Sequence, residues 1–141
     1  MSDNPFVGHW TYRSLLNEPE VNTGFDKLEF GRGTIVIQDA PMQILKGTIG
    51  GPGWSLALKG SRDYGNPFHA RFQGTGTVGG EKWTYDYDGY LVPHWPNGVD
   101  QRPAIVGSVI RTAAHSGSKP GTVAPAGVVV SFYAVRTDGL P

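Results

Sequence analysis

The sequence predicts an all-β chain, and within that class an antiparallel up-and-down β-barrel of about eight strands. Three observations point there. Glycine and proline supply 21 and 11 of the 141 residues, about twice average usage, and both weaken helix interiors. Segments that alternate apolar and polar residues recur with turn residues between them. No window of eleven or more residues carries an i, i+3, i+4, i+7 apolar pattern. Four Trp, six Tyr and six Phe are too many for a chain that never packs, and the length fits one domain, residues 1–141.

Taken in order, Phe6 to Leu16 reads as a first strand ended by Asn17-Glu18-Pro19. Phe25 to Phe30 is a short second piece, and Gly31-Arg32-Gly33 reads as a tight turn into Thr34 to Gln38. After Asp39-Ala40-Pro41 comes Gln43 to Ile49, and Gly50-Gly51-Pro52-Gly53 turns into Trp54 to Ser61. Gly65-Asn66-Pro67 leads to Phe68 to Thr77, and Gly79-Gly80 predicts a hairpin into Glu81 to Val92. An irregular loop runs from Pro93 to Pro103, followed by the strand Ala104 to Thr112. A Ser/Gly/Pro-rich loop, Ala113 to Pro125, precedes the last strand, Ala126 to Arg136. Hairpin-length links make the sheet antiparallel, and closing it removes two exposed edges.

Charge and composition exclude several functions. Twelve basic and twelve acidic residues balance to a net charge of zero, without the basic excess of a nucleic-acid binder. Absence of cysteine removes disulfides, thiol nucleophiles and thiolate metal sites, and suits either redox compartment. The opening Met1 to Phe6 has no leader pattern, and the longest apolar-rich stretch, Ala124 to Val135, is far below membrane-spanning length. A cytoplasmic location with no membrane partner is the expectation, unless a leader was removed.

Gly8-His9-Trp10, Lys46-Gly47-Thr48-Ile49 and Ala104-Ile105-Val106-Gly107-Ser108 resemble short motifs of the avidin and lipocalin (calycin) barrels. The resemblance implies an eight-stranded meander barrel with a small-molecule cavity at one end. Thr11-Tyr12-Arg13-Ser14 replaces the Asn and Ser residues with which avidins bind the ureido group of biotin, so biotin is not the expected ligand.

Alternation places Trp83, Tyr85 and Tyr87 on one strand face and Thr84, Asp86 and Asp88 on the other. If the aromatic face looks inward, these phenols line a cavity in which a flat ligand stacks. Tyr12 shares a face with Trp10 and Ser14 and is their inward companion. Asp86 and Asp88 have no neighbouring His in sequence to complete a metal site. In the loop after the aromatic strand, three prolines hold His94 and Trp95. It reads either as a lid, with Trp95 covering a ligand and His94 giving a polar contact or a proton, or as a rigid connector. Arg71 shares a face with His69 and Gln73. It either clamps an anion inside the barrel or belongs to the solvent face.

Other motifs fail. Gly74 to Gly79 fits G-x-G-x-x-G, but a dinucleotide fingerprint opens a helix, and here another Gly and a strand follow, so the segment reads as a turn. The four histidines are scattered, with His115 in a loop, and no metal or cofactor is expected. The last strand, Val128 to Val135, is apolar on both faces, which predicts a homodimer or higher homo-oligomer packed through outward strand faces.

The expected function is binding of a small organic ligand by Tyr12, Arg71, Tyr85, Tyr87, His94 and Trp95. The alternative is a cofactor-free cyclase or isomerase in which an interior Tyr, His or Asp with perturbed ionisation moves a proton. A third reading is a structural module filled with side chains. A cavity below the ~300 Å³ of ordinary pockets would favour it.

Overall fold

Strands that alternate apolar and polar residues turn their apolar side inward. The computed structural model, which describes residues 4–137, closes eight of them into an antiparallel barrel. The strands are β1 (Gly8–Leu15), β2 (Glu29–Gln38), β3 (Ile44–Gly51), β4 (Trp54–Asp63), β5 (His69–Val78), β6 (Glu81–Leu91), β7 (Ala104–Arg111) and β10 (Val129–Arg136). Each pairs with its chain neighbour; β7 pairs with β10, and β10 closes the ring on β1. A two-stranded hairpin, β8 (His115–Ser116) and β9 (Val123–Ala124), stands outside the ring in the β7–β10 connection. Among the described residues no helix is long and apolar enough to cross a membrane. Met1 to Asp3 of the N-terminal stretch lie outside the described residues.

The second predicted piece needs correcting. Phe25–Leu28 is a single helical turn, α1, and β2 runs unbroken from Glu29. Gly31-Arg32-Gly33 is therefore strand rather than turn, paired with Ser14, Arg13 and Tyr12. A Cβ on Gly33 would come within 2.1 Å of the Gly50 carbonyl oxygen and 3.2 Å of Trp54. Glycine is there for close approach, not for a reversal. Gly74 to Val78 likewise belong to β5, and the reversal sits at Gly79-Gly80. Both of these have positive φ, 58° and 81°, as a two-residue hairpin turn requires.

Because the chain runs up and down, loops alternate between the two ends. The lower end holds the start of β1 and the loop 92–103 after β6. It is plugged: Phe6 and Trp10 are fully buried, and the Trp10 indole donates to the Phe6 carbonyl at 3.0 Å. The Arg136 guanidinium lies 5.3 Å from the Trp10 ring centroid and donates to the Val7 carbonyl. Mid-barrel, Ile35, Ile49, Leu58, Phe72, Val109 and Phe132 pack inward, one contiguous core. The upper end receives Ser14, Trp54, Trp83 and Arg111 at their strand termini.

Candidate functional site

The inward face of β6 builds the site. Trp83, Tyr85 and Tyr87 share one face, as their alternation predicted, and the structure turns that face into the barrel, while Asp86 lies exposed outside. From the opposite wall β1 sends in Tyr12 and Ser14. Tyr12 and Tyr87 meet edge to face with centroids 6.0 Å apart, and Tyr87 stacks on Phe72 at 4.8 Å. Together with Phe132, 5.6 Å from Tyr87, these rings form an aromatic floor. Above it a half-open space of about 220 Å³ faces the upper end, lined by Tyr12, Ser14, Phe30, Trp54, Leu56, Trp83, Tyr85 and Tyr87, with Gly31 completing the wall. That volume lies below the ~300 Å³ of ordinary ligand pockets.

Electrostatically the lining is neutral and rich in hydrogen-bond donors. Burial pushes the Tyr12 phenol above its ordinary value, against the opposing influence of the Ser14 and Tyr87 hydroxyls. Burial, followed by the neighbouring Tyr12, pushes Tyr87 well above it. Both phenols therefore keep their protons. The Trp83 indole N–H is buried and has no hydrogen-bond partner in the protein.

At the rim, Tyr85 joins two residues from the β7–β10 connection and its approach. Arg111 Nε donates to the Tyr85 oxygen at 2.9 Å, and His115 Nε2 lies 2.8 Å from it. His115 Nδ1 faces the Ser116 carbonyl at 2.9 Å. A carbonyl only accepts, so in the neutral ring Nδ1 carries the proton and Nε2 accepts from Tyr85. The polar chain thus runs in one direction, from Arg111 through Tyr85 to His115. His115 also stacks on Trp83 with centroids 4.0 Å apart, and Glu81 accepts from the Ser116 N–H at 3.2 Å. These contacts seat the β8–β9 hairpin against the upper end.

The remaining sequence-predicted residues lie elsewhere. Arg71 stands on the outer face of β5, bonded to Asp88 at 3.3 Å, in a groove of about 600 Å³ on the outside wall. Its side chain lies outside the wall, whereas Tyr12, Tyr85 and Tyr87 line the cavity within. His94 and Trp95 belong to the loop 92–103 at the lower end, across the barrel from the cavity, and line a separate groove there. That loop is braced internally: Gln101 Nε2 donates to the Trp95 carbonyl at 2.8 Å while its Oε1 accepts from the Trp95 N–H. Trp95 itself is 71% exposed and does not close over the upper cavity. No family model matches the chain, nor does any curated protein or solved structure. Among the described residues no group of three or more His, Asp or Glu is placed to hold a metal ion.

Phe30, Trp54, Arg111 and His115 were not singled out by sequence. Two of them had a readable signal. Arg111 has the same parity as the inward Ile105 and Val109 of β7, and Trp54 the same parity as Leu56 and Leu58 of β4. His115 had none, because its position depends on a hairpin only two residues wide.

Proposed function

We propose that this protein is a small-molecule-binding barrel whose ligand is a single aromatic ring held in the upper cavity. The observation behind this reading is the set of three tyrosines, Tyr12, Tyr85 and Tyr87, converging with Trp54 and Trp83 on one half-open space. Its volume of about 220 Å³ narrows the ligand class. An apolar cavity of about 150 Å³ holds benzene, so this one suits a ring with one small substituent and is too small for a drug-sized ligand. A calycin-type reading of the barrel agrees with the end-on position of the space.

Two other readings compete. The same small volume favours a structural barrel filled with side chains. Binding is supported by the buried Trp83 N–H without a partner, because a buried donor is ordinarily satisfied and this one belongs to a residue of the cavity wall. The enzyme reading asks for an interior proton carrier. The raised values of Tyr12 and Tyr87 favour fixed neutral donors over groups that exchange protons near neutral pH.

Calorimetric titration of the full chain with toluene tests the cavity itself. The expected result is saturable binding, one molecule per barrel, lost in a Leu56→Trp variant that fills the space. No binding, or binding unchanged in Leu56→Trp, would overturn the proposal. Self-association is a second proposal, supported by the outward side chains Tyr90, Val106 and Val129, all exposed. Native mass spectrometry giving only a monomer mass would remove it.

A further inference from the structure

A ligand held among aromatic walls still has a polar end, and the groups around the upper cavity indicate which kind. No Asp or Glu lines the space; its polar side chains are Ser14, the neutral phenols and the two indoles. Trp83 offers a buried N–H that nothing in the protein accepts, and an indole nitrogen can only donate. A ligand group meeting it must be an acceptor.

Arg111 adds a charge. Its guanidinium lies 4.9 Å from the Phe30 ring centroid and 5.6 Å from that of Tyr85, two walls of the cavity. The side chain is buried, its Nε is spent on the Tyr85 phenol and its Nη1 on the Pro125 carbonyl at 3.2 Å. Neither partner is anionic. Among the described residues no carboxylate lies within salt-bridge distance of Arg111, whereas Arg32 has Glu29 and Arg71 has Asp88. Glu81, tied to the adjoining hairpin, accepts from the Ser116 N–H. A buried guanidinium without a counter-charge is costly unless something supplies the charge.

Resting on the ring-sized cavity proposed above, we infer that the ligand is a single-ring aromatic carboxylate, its ring among the tryptophans and tyrosines and its carboxylate toward Trp83 Nε1 and the Arg111 side of the mouth. The planar two-oxygen acceptor suits a donor-lined slot that has little room beyond one ring. A phosphate ester is bulkier and carries more charge than a single guanidinium balances.

The test is calorimetric titration of the full chain with benzoate, benzamide and toluene at neutral pH and fixed ionic strength. Benzoate and benzamide have nearly the same shape and differ in charge. Benzoate is expected to bind at least about 10-fold more tightly than benzamide. An Arg111→Gln variant is expected to bring the two together, while Lys59→Gln on the outer wall preserves the difference. Should Arg111→Gln fail to fold, the wild-type ratio alone decides. Benzamide binding as tightly as benzoate would overturn the carboxylate inference and leave the cavity reading standing. Absence of binding by all three at millimolar concentration would overturn both.

Discussion

The Tyr85 hydroxyl donates to His115 Nε2 across 2.8 Å, joining the barrel wall to a hairpin that the eight-stranded ring does not include. The same oxygen receives Arg111 Nε, so one phenol satisfies a buried cation and a buried imidazole together. Tyr85→Phe keeps the ring and removes both bonds. Leaving buried polar groups unpaired costs roughly 1–3 kcal/mol. Urea unfolding is expected to show a loss of about 2 kcal/mol, and an unchanged midpoint would mean the relay bears no structural load.

At the lower end Arg62 faces inward and is buried, with Nε and Nη1 lacking any partner in the protein. Its contacts are the Tyr64 ring, 4.9 Å from the guanidinium carbon, and a long 3.5 Å bond to the Tyr64 hydroxyl. Replacing a poorly compensated buried charge by an apolar side chain of similar length is often neutral or stabilising, by about 1 kcal/mol or more. Thermal unfolding of Arg62→Met is therefore expected at or above the wild-type temperature. A clear drop would show that Arg62 is better satisfied than these contacts allow.

Outside the barrel, His69 bridges three strands. Its Nε2 lies 2.5 Å from Asp88 and its Nδ1 3.1 Å from Asp63. Burial alone would lower the His69 value, but the bonds and charges of Asp88 and Asp63 outweigh it and raise it. Burial would raise Asp88, but His69 and then Arg71 outweigh that and lower it. A raised His stabilises fully below its unfolded value, about 6.5, and the gain fades as pH rises through the folded value. A lowered Asp stabilises fully above its unfolded value, about 3.9, and the gain fades as pH falls. Both act between about pH 4 and 6.5. Melting temperatures should fall for wild type between about pH 6 and 8 relative to His69→Gln; parallel curves would remove the clamp.

Much of this architecture was legible in the sequence because period-2 alternation and glycine-rich turns act locally. The shared face of Trp83, Tyr85 and Tyr87 followed from spacing alone, as did that of Tyr12 with Trp10 and Ser14, while the closing of the barrel decided that the β6 row points inward. Gly31-Arg32-Gly33 misled because glycine serves both turns and close strand contacts, and only the approach of β3 tells them apart. Sequence could not tell that His94 and Trp95 lie at the opposite end of the barrel from the tyrosines. Tyr85 lies near the start of β6 and the loop follows its end, so the strand from Asp86 to Leu91 separates them. Arg71 was open to both faces until the register with Asp88 was known. The rim itself needed tertiary structure, since Arg111 and His115 meet Tyr85 only once β7 has paired with β6.

The protein has four tryptophans, and they report on different places. Trp54 and Trp83 line the upper cavity, Trp10 is sealed in the lower end, and Trp95 is exposed on the lower loop. Their four indole N–H signals in a nitrogen–proton correlation spectrum, followed during titration with benzoate, test the site most directly. A ligand in the upper cavity shifts the Trp54 and Trp83 signals and leaves Trp10 and Trp95 in place. A shift confined to Trp95, or none at all while benzoate binds, would contradict it.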